Sequence, residues 1–229
     1  MRTEQPFIRW DWIWDHLDDI GTQLVEHLYL TGIAVTIGLL IALPLGVYAY
    51  RHRWAYPPLT WFTGILYTIP SLALFVLLIP FTGLSTVTAE IGLVSYTLLI
   101  LIRNIVAGLR SVPDDAKEAA LGMGYTRRQL LWRVEFPLAL PVIVAGIRIA
   151  TVTTIGLVTV TSLIGKGGLG TFILQGRRRD FFTMTFVGSV LSVALALAAD
   201  ALLLLSQRRL TPWWRRRPTV EPVPLKPVA

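Results

Sequence analysis

Long apolar runs separated by shorter polar stretches dominate this chain of 229 residues. Five runs reach the roughly 20 residues that a helix needs to cross a hydrocarbon core about 30 Å thick. Backbone groups in lipid must satisfy their own hydrogen bonds, so each run predicts a helix. The predicted spans are residues 28–50, 59–80, 87–109, 138–164 and 181–206. The pattern therefore predicts an all-α fold, a polytopic transmembrane helical bundle of about five spans.

The second predicted span contains a break at Pro70, because proline lacks a backbone donor and clashes with the preceding turn. The hydroxyls of Thr68 and Ser71 are expected to bond the backbone groups that the break frees.

The spans divide the chain into three parts. Residues 1–27 are predicted to be an external segment, in which Phe7, Trp10, Trp14 and Leu17 recur at the spacing of an interfacial helix. Residues 28–206 form the transmembrane domain, and the Pro- and Arg-rich residues 207–229 are predicted to be a disordered tail.

Composition supports a membrane protein, since 54% of residues are hydrophobic and 15% are charged, with a mean hydropathy of +0.61. The net charge of +7 comes from bases between and after the apolar runs. Anionic lipid headgroups of the bilayer explain this placement better than nucleic acid does. No cysteine is present and no His pair falls inside a span, so neither thiol chemistry nor a metal site is expected.

The distribution of bases predicts the orientation. With the N-terminus outside and the C-terminus in the cytoplasm, 14 of the 21 lysines and arginines lie on the inner side. Residues 110–137, hereafter the polar loop, are then cytoplasmic. The run 177–179 places three arginines outside and does not fit the rule.

Two short helices are predicted in the polar loop. Asp114 or Asp115 is expected to cap the first, and Gly122 and Gly124 to end it, because glycine accepts a left-handed turn. Thr126 is expected to cap the second helix. Pro137 is expected to stop that helix just before the fourth span, and small alanines on one side would let another surface approach closely.

The polar loop resembles the EAA loop of ABC-importer membrane subunits. It reads Glu118-Ala119-Ala120, three residues, Gly124, nine residues, Val134, one residue and Phe136-Pro137. The resemblance implies the type I ABC importer permease fold. It also implies a loop that couples to an ATPase through Glu118, Ala119, Ala120, Gly122, Gly124, Val134 and Pro137.

Further strings resemble permeases of glycine betaine/carnitine/choline importers, over about residues 24–206. They are 67–74, 102–104, 146–148, 151–156 and 167–170. The resemblance implies uptake of an osmoprotectant such as glycine betaine, carnitine, choline or proline across a bacterial cytoplasmic membrane. Methionine permeases are near neighbours with a similar five-span size, so uptake of another small solute such as methionine stays open as an alternative.

The same resemblance implies the partners. They are two cytoplasmic ATPase subunits, a second permease subunit that is identical or paralogous, and an external binding protein that selects the substrate. This chain would be a transport subunit rather than an enzyme and would bind no cofactor, because ATP and Mg²⁺ would belong to the partner ATPase. A secondary carrier without an ATPase stays open as an alternative, although no internal repeat is visible.

Two charges fall inside predicted spans, Arg148 in the fourth and Asp200 in the fifth. Because unpaired charges at membrane depth cost at least about 2.5 kcal/mol each, we expect them to pair. The pair is either structural or a gate that rearranges during transport.

Gly165, Gly167, Gly168 and Gly170 satisfy the G-x-G-x-x-G pattern but follow a membrane helix, not a strand. They predict a tight external turn that lets a partner or another helix approach closely. No G-x-x-x-x-G-K-[ST] string occurs.

Overall fold

The computed structural model describes residues 8–212, which contain helices and connecting turns but no strand. The α-helices are α1 (Trp10–Asp15), α2 (Leu17–Arg51), α3 (Tyr56–Thr68), α4 (Ser71–Thr82), α5 (Thr86–Arg110), α6 (Asp114–Gly122), α7 (Arg127–Leu130), α8 (Phe136–Thr161), α9 (Gly170–Arg178) and α10 (Phe182–Leu210). Short 3₁₀ turns occupy Arg53–Ala55 and Ser162–Ile164, and a π-helical turn occupies Leu131–Glu135.

Four stretches of the described chain are long and apolar enough to cross a membrane: Leu17–Arg51, Thr86–Arg110, Arg127–Ile164 and Phe182–Leu210. The fifth is the pair α3 and α4, which are bent by 95° at their junction. Each half rises only about 20 Å and is too short to cross a hydrocarbon core by itself.

The direction of α2 relative to α5 shows that α3 and α4 together cross the membrane once. Gly38 of α2 faces Thr97 of α5, and Gly46 faces Ile105, so the two helices run parallel. The chain must therefore return across the bundle between them, and α3 with α4 is the only segment there. Five crossings confirm the predicted fold class and put residues 8 and 212 at opposite ends.

A stripe of small residues on α2 explains this contact. Gly38, Ala42 and Gly46 recur every four residues on one face and are buried. Small side chains let two backbones approach closely. In lipid, where the hydrophobic effect does not drive helices together, this close van der Waals packing stabilises their association. Leu101 and Ile105 of α5 fill the resulting core.

At the bend, the backbone groups freed by Pro70 find partners from two helices. Thr68 donates its hydroxyl to the Ile65 carbonyl at 2.8 Å, as its position predicted. The Ile69 carbonyl accepts instead from the hydroxyl of Tyr96 on α5. Ser71 makes no side-chain hydrogen bond within residues 8–212. A neighbouring helix therefore supplies the second partner expected from Ser71.

The helices differ from the predicted ones in three places, at two ends and by one additional helix. The helix of the first span begins at Leu17 and has 35 residues, a rise of about 52 Å that exceeds the hydrocarbon core. The last helix continues to Leu210, so residues 207–210 of the predicted tail are helical. Helix α9 was not predicted. Phe7 and residues 213–229 lie outside the described chain.

Pro137 does not separate the polar loop from the fourth span, contrary to the prediction. It lies in the first turn of α8, directly after the π-helical turn Leu131–Glu135, and the altered hydrogen bonding of that turn accommodates a residue without a backbone donor. The helix passes from α7 through the turn Leu131–Glu135 into α8 without a stop. The loop is therefore joined rigidly to the fourth crossing.

Candidate functional site: the polar loop

The polar loop folds as two short helices, α6 and α7. Pro113 is the residue before α6, and no side chain caps that end. Asp114 and Asp115 lie in the first helical turn instead of the capping position, where their negative charge favours the positive end of the helix dipole. Asp114 also accepts from the Lys117 ammonium at 2.9 Å.

The turn between the helices depends on Gly124, whose φ of +85° lies in the left-handed region. The Tyr125 amide donates back to the Ala120 carbonyl at 3.1 Å, which satisfies a carbonyl at the end of α6. Thr126 then caps α7 in a reciprocal pair with Gln129. This cap and the Gly124 turn follow the local sequence rules.

One surface of this loop is exposed and carries both a carboxylate and apolar groups. Glu118 and Ala119 are exposed, while Leu121 and Met123 are 49% and 69% exposed. Apolar side chains exposed next to charge are typical of a surface that binds another protein. We call Glu118, Ala119, Leu121, Met123 and Gly124 the loop surface.

Other residues that the resemblance assigned to coupling lie elsewhere. Ala120 is 1% exposed, and helix α6 contacts the turn Leu131–Glu135. Val134 and Pro137 are half-buried along the route into α8. These three residues hold the loop in place, whereas Glu118, Ala119 and the exposed Gly122 face outward.

A buried hydrogen bond fastens the loop to the end of α2. The Tyr50 hydroxyl donates to Glu135 Oε1 at 2.6 Å, and Glu135 is only 6% exposed. Sequence analysis did not single out Glu135. Its signal was an acid inside an otherwise basic and apolar stretch, between Arg133 and Phe136.

Beside the loop surface lies a cavity of about 1000 Å³, here called the basic cavity, whose charged lining comprises five bases and the two acids Asp114 and Glu135. Arg51 ends α2 and Arg53 begins the 3₁₀ turn after it, while Arg110, Lys117 and Arg127 come from α5, α6 and α7. The Arg110 guanidinium lies 4.6 Å from the centre of the Tyr56 ring. This end of the bundle therefore attracts anionic groups.

The structure brings Arg148 and Asp200 together as the sequence predicts. Arg148 donates from Nε and Nη2 to the two oxygens of Asp200 at 2.9 and 2.8 Å. Gln207 accepts from the same guanidinium at 3.3 Å and donates to the Pro141 carbonyl at 2.9 Å. Arg148 lies about 18 Å along α8 from its start, within the depth of the hydrocarbon core.

The glycine-rich turn approaches a helix of the same chain. Gly165 and Gly168 have φ values of +79° and +46°. A side chain at Gly168 would come within 2.7 Å of the Gln23 carbonyl oxygen and the His27 amide nitrogen on α2. Gly167 packs on Ser162 and Gly170 on Thr159. A larger residue at these positions would clash with the same chain, so packing explains the glycines and no nucleotide is needed to account for them.

The chain is a multi-pass membrane protein with five crossings and one exposed helical loop between the end of α5 and the start of α8. Residues 34–216 match the family described as binding-protein-dependent transport system inner membrane component. The chain belongs to this family, which confirms the resemblance stated on the polar loop.

Relatives extend over most of the chain. The osmoprotectant import permease protein OsmW of Salmonella typhimurium is 38% identical over 203 residues, 86% of this chain and 94% of that protein. The glycine betaine/carnitine/choline transport system permease protein OpuCB of Bacillus subtilis is 37% identical over 187 residues, 82% of this chain and 86% of that protein.

Among solved structures, the MetNI methionine ABC transporter in an inward-facing conformation aligns with a TM-score of 0.76 at 24% identity. The alignment covers 89% of this chain and 100% of the compared chain. This likeness shows the fold.

Proposed function

We propose that this chain is the membrane-spanning subunit of an ATP-driven importer for osmoprotectants of the glycine betaine, carnitine and choline class. Relatives at 37–38% identity over more than four-fifths of the chain support this substrate class. A second permease subunit, two ATPases beneath the bilayer and an external binding protein complete the importer.

The observation that carries the coupling mechanism is the loop surface, formed by Glu118, Ala119, Leu121, Met123 and Gly124. An ATPase that binds this surface moves α6, and the unbroken helix from α7 into α8 transmits the motion to the fourth crossing. The hydrogen bond between Tyr50 and Glu135 transmits it to α2. Closure of the ATPase pair around ATP and Mg²⁺ then switches the membrane helices between inward and outward access.

Gly124 provides the direct test. No atom lies within 4 Å of a side chain added there, but the left-handed backbone disfavours a branched residue. Gly124→Val is therefore expected to disturb the turn and add bulk to the loop surface. Uptake and co-purification of the ATPase should fall about tenfold or more, with membrane insertion unchanged.

Two controls isolate the cause. Gly21→Ala, near the start of α2 and far from the loop, meets no atom within 4 Å and has no left-handed backbone, so it should leave uptake intact. Gly124→Asn tolerates the left-handed turn and separates backbone strain from bulk. Normal uptake by Gly124→Val would count against an ATPase contact at this loop.

A further inference from the structure

The end of the bundle opposite the polar loop holds a smaller cavity of about 310 Å³ between α1, the start of α2, α9 and the start of α10. We call it the α1–α9 cavity. Gln23 of α2 lines it, whereas Tyr50 lines the basic cavity. The two cavities are therefore about 40 Å apart along α2. In the proposed orientation this cavity faces the exterior, where an importer meets its substrate.

Aromatic rings form one part of its lining. Trp12 lies edge-on to Phe172 and Phe181, with ring centres 6.1 and 5.3 Å apart. Arg9 does not line the cavity, and its guanidinium lies 5.8 Å from the centre of the Phe181 ring. Aromatic faces attract cations, and quaternary ammonium groups in particular, through the ring quadrupole.

The polar part of the lining carries one group of each charge. Asp19 supplies a carboxylate, and Arg179 supplies a guanidinium. Neither side chain makes a hydrogen bond or ion pair with another residue in the range 8–212. Arg9, in contrast, is already paired with Asp11 at 3.0 Å. Opposite charges on one small cavity match a ligand that is itself dipolar and neutral overall.

An unsatisfied acceptor belongs to a residue that lines the same cavity. Gln23 Oε1 is buried and has no hydrogen-bond partner among the described residues. Buried polar atoms are normally satisfied, and a bound water or ligand is one of the ways in which an unsatisfied atom gains its partner. A carbonyl oxygen next to aromatic rings adds negative potential for a cation. A volume of about 310 Å³ lies at the small end of ligand pockets.

From this geometry we infer that the α1–α9 cavity binds a small zwitterion, with its quaternary ammonium group at Trp12, Phe181 and Asp19 and its carboxylate at Arg179. The inference rests on the proposed function and adds a substrate site within the permease itself. It also gives a role to Arg179, one of three arginines that violate the charge rule for the outer side.

The test uses the full chain in lipid nanodiscs, without ATPase or binding protein. Saturation-transfer NMR on the trimethylammonium protons measures binding of glycine betaine, which has a carboxylate, and choline, which has none. Arg179→Gln should weaken glycine betaine binding about tenfold, the loss expected for one charge-assisted hydrogen bond. Choline binding should stay within about twofold. Trp12→Leu should weaken both ligands.

Neighbouring residues supply matched controls. Arg178 and Trp14 are exposed and do not line the cavity, so Arg178→Gln and Trp14→Leu should bind both ligands like the unaltered chain. If Trp12→Leu unfolds, the comparison of Arg179→Gln with Arg178→Gln still decides the outcome.

The result that overturns the site is unchanged glycine betaine binding in Arg179→Gln, or no binding by the unaltered chain. Uptake by the assembled importer, with its ATPase and binding protein, distinguishes this failure from failure of the proposed function. Normal osmoprotectant uptake without binding at the cavity would disprove the cavity site and leave the proposed function standing. Absence of uptake of glycine betaine, carnitine and choline removes the proposed function.

Discussion

Two side-chain pairs join distant helices at the scale of single residues: Tyr50 with Glu135, and Arg148 with Asp200. Each pair links residues far apart in sequence; Glu135 is buried, whereas the side chains of Arg148 and Asp200 are 22% and 39% exposed. Such groups cost free energy when they lose their partner. The two pairs therefore make separate predictions, one for the loop and one for the membrane core.

Replacing Tyr50 with Phe removes the donor to Glu135 and keeps the ring. A buried carboxyl oxygen then loses its hydrogen bond, so we expect a loss of stability of about 1–3 kcal/mol and reduced coupling between α2 and the loop. Thermal unfolding in nanodiscs and ATP-driven uptake measure the two effects. Tyr48→Phe is the control, because Tyr48 is 46% exposed. Equal stability of the two variants would contradict the role of this bond.

Replacing Arg148 alone with Met leaves the Asp200 carboxylate unpaired at membrane depth, and we expect a lower unfolding temperature. Arg148→Met combined with Asp200→Leu should recover most of that decrease and retain uptake, because two apolar residues leave no charge behind. Arg103→Met, at an exposed arginine near the loop end of α5, is the control. A stable double variant without uptake would mean that the pair works as a gate.

At the scale of elements, the bend between α3 and α4 is held by a helix remote in sequence. Tyr96→Phe removes the hydroxyl that donates to the Ile69 carbonyl, so the bend loses one buried hydrogen bond. We expect a lower unfolding temperature, corresponding to about 1–2 kcal/mol, and slower uptake. Tyr67→Phe is the matched control, since its ring contacts Tyr96 with centres 5.6 Å apart and its hydroxyl has no partner within residues 8–212.

In the polar loop, some features could be predicted from the local sequence and others could not. The cap at Thr126 and the turn at Gly124 follow from side chains that bond their own backbone or tolerate a left-handed φ. The burial of Ala120 did not follow, because it depends on the remote turn Leu131–Glu135. Helix α9 was missed because Gly170 and Arg177–Arg179 resemble loop residues. Its packing on α10 outweighs that weak preference.

At the scale of the whole molecule, five crossings put the loop surface and the α1–α9 cavity at opposite ends. The chain has no cysteine, so a single cysteine introduced at the exposed residue Met123 or Arg178 is the only thiol that a maleimide can label. The two positions report on the two ends of the bundle. We expect an impermeant maleimide to label Arg178→Cys in intact cells, and Met123→Cys only after permeabilisation. Labelling of Met123→Cys in intact cells would place the loop outside and end the coupling hypothesis.

The sequence by itself determined how many times the chain crosses the membrane and where its loop turns. Hydrophobic run length, glycine and capping residues act locally, within one helix or one turn. The tertiary structure alone decided that α2 runs parallel to α5 and that the Tyr96 hydroxyl donates to the Ile69 carbonyl at the bend. It also decided that Gln23 and Arg179 line the same cavity. These features depend on contacts between residues far apart in the chain, which no local pattern encodes.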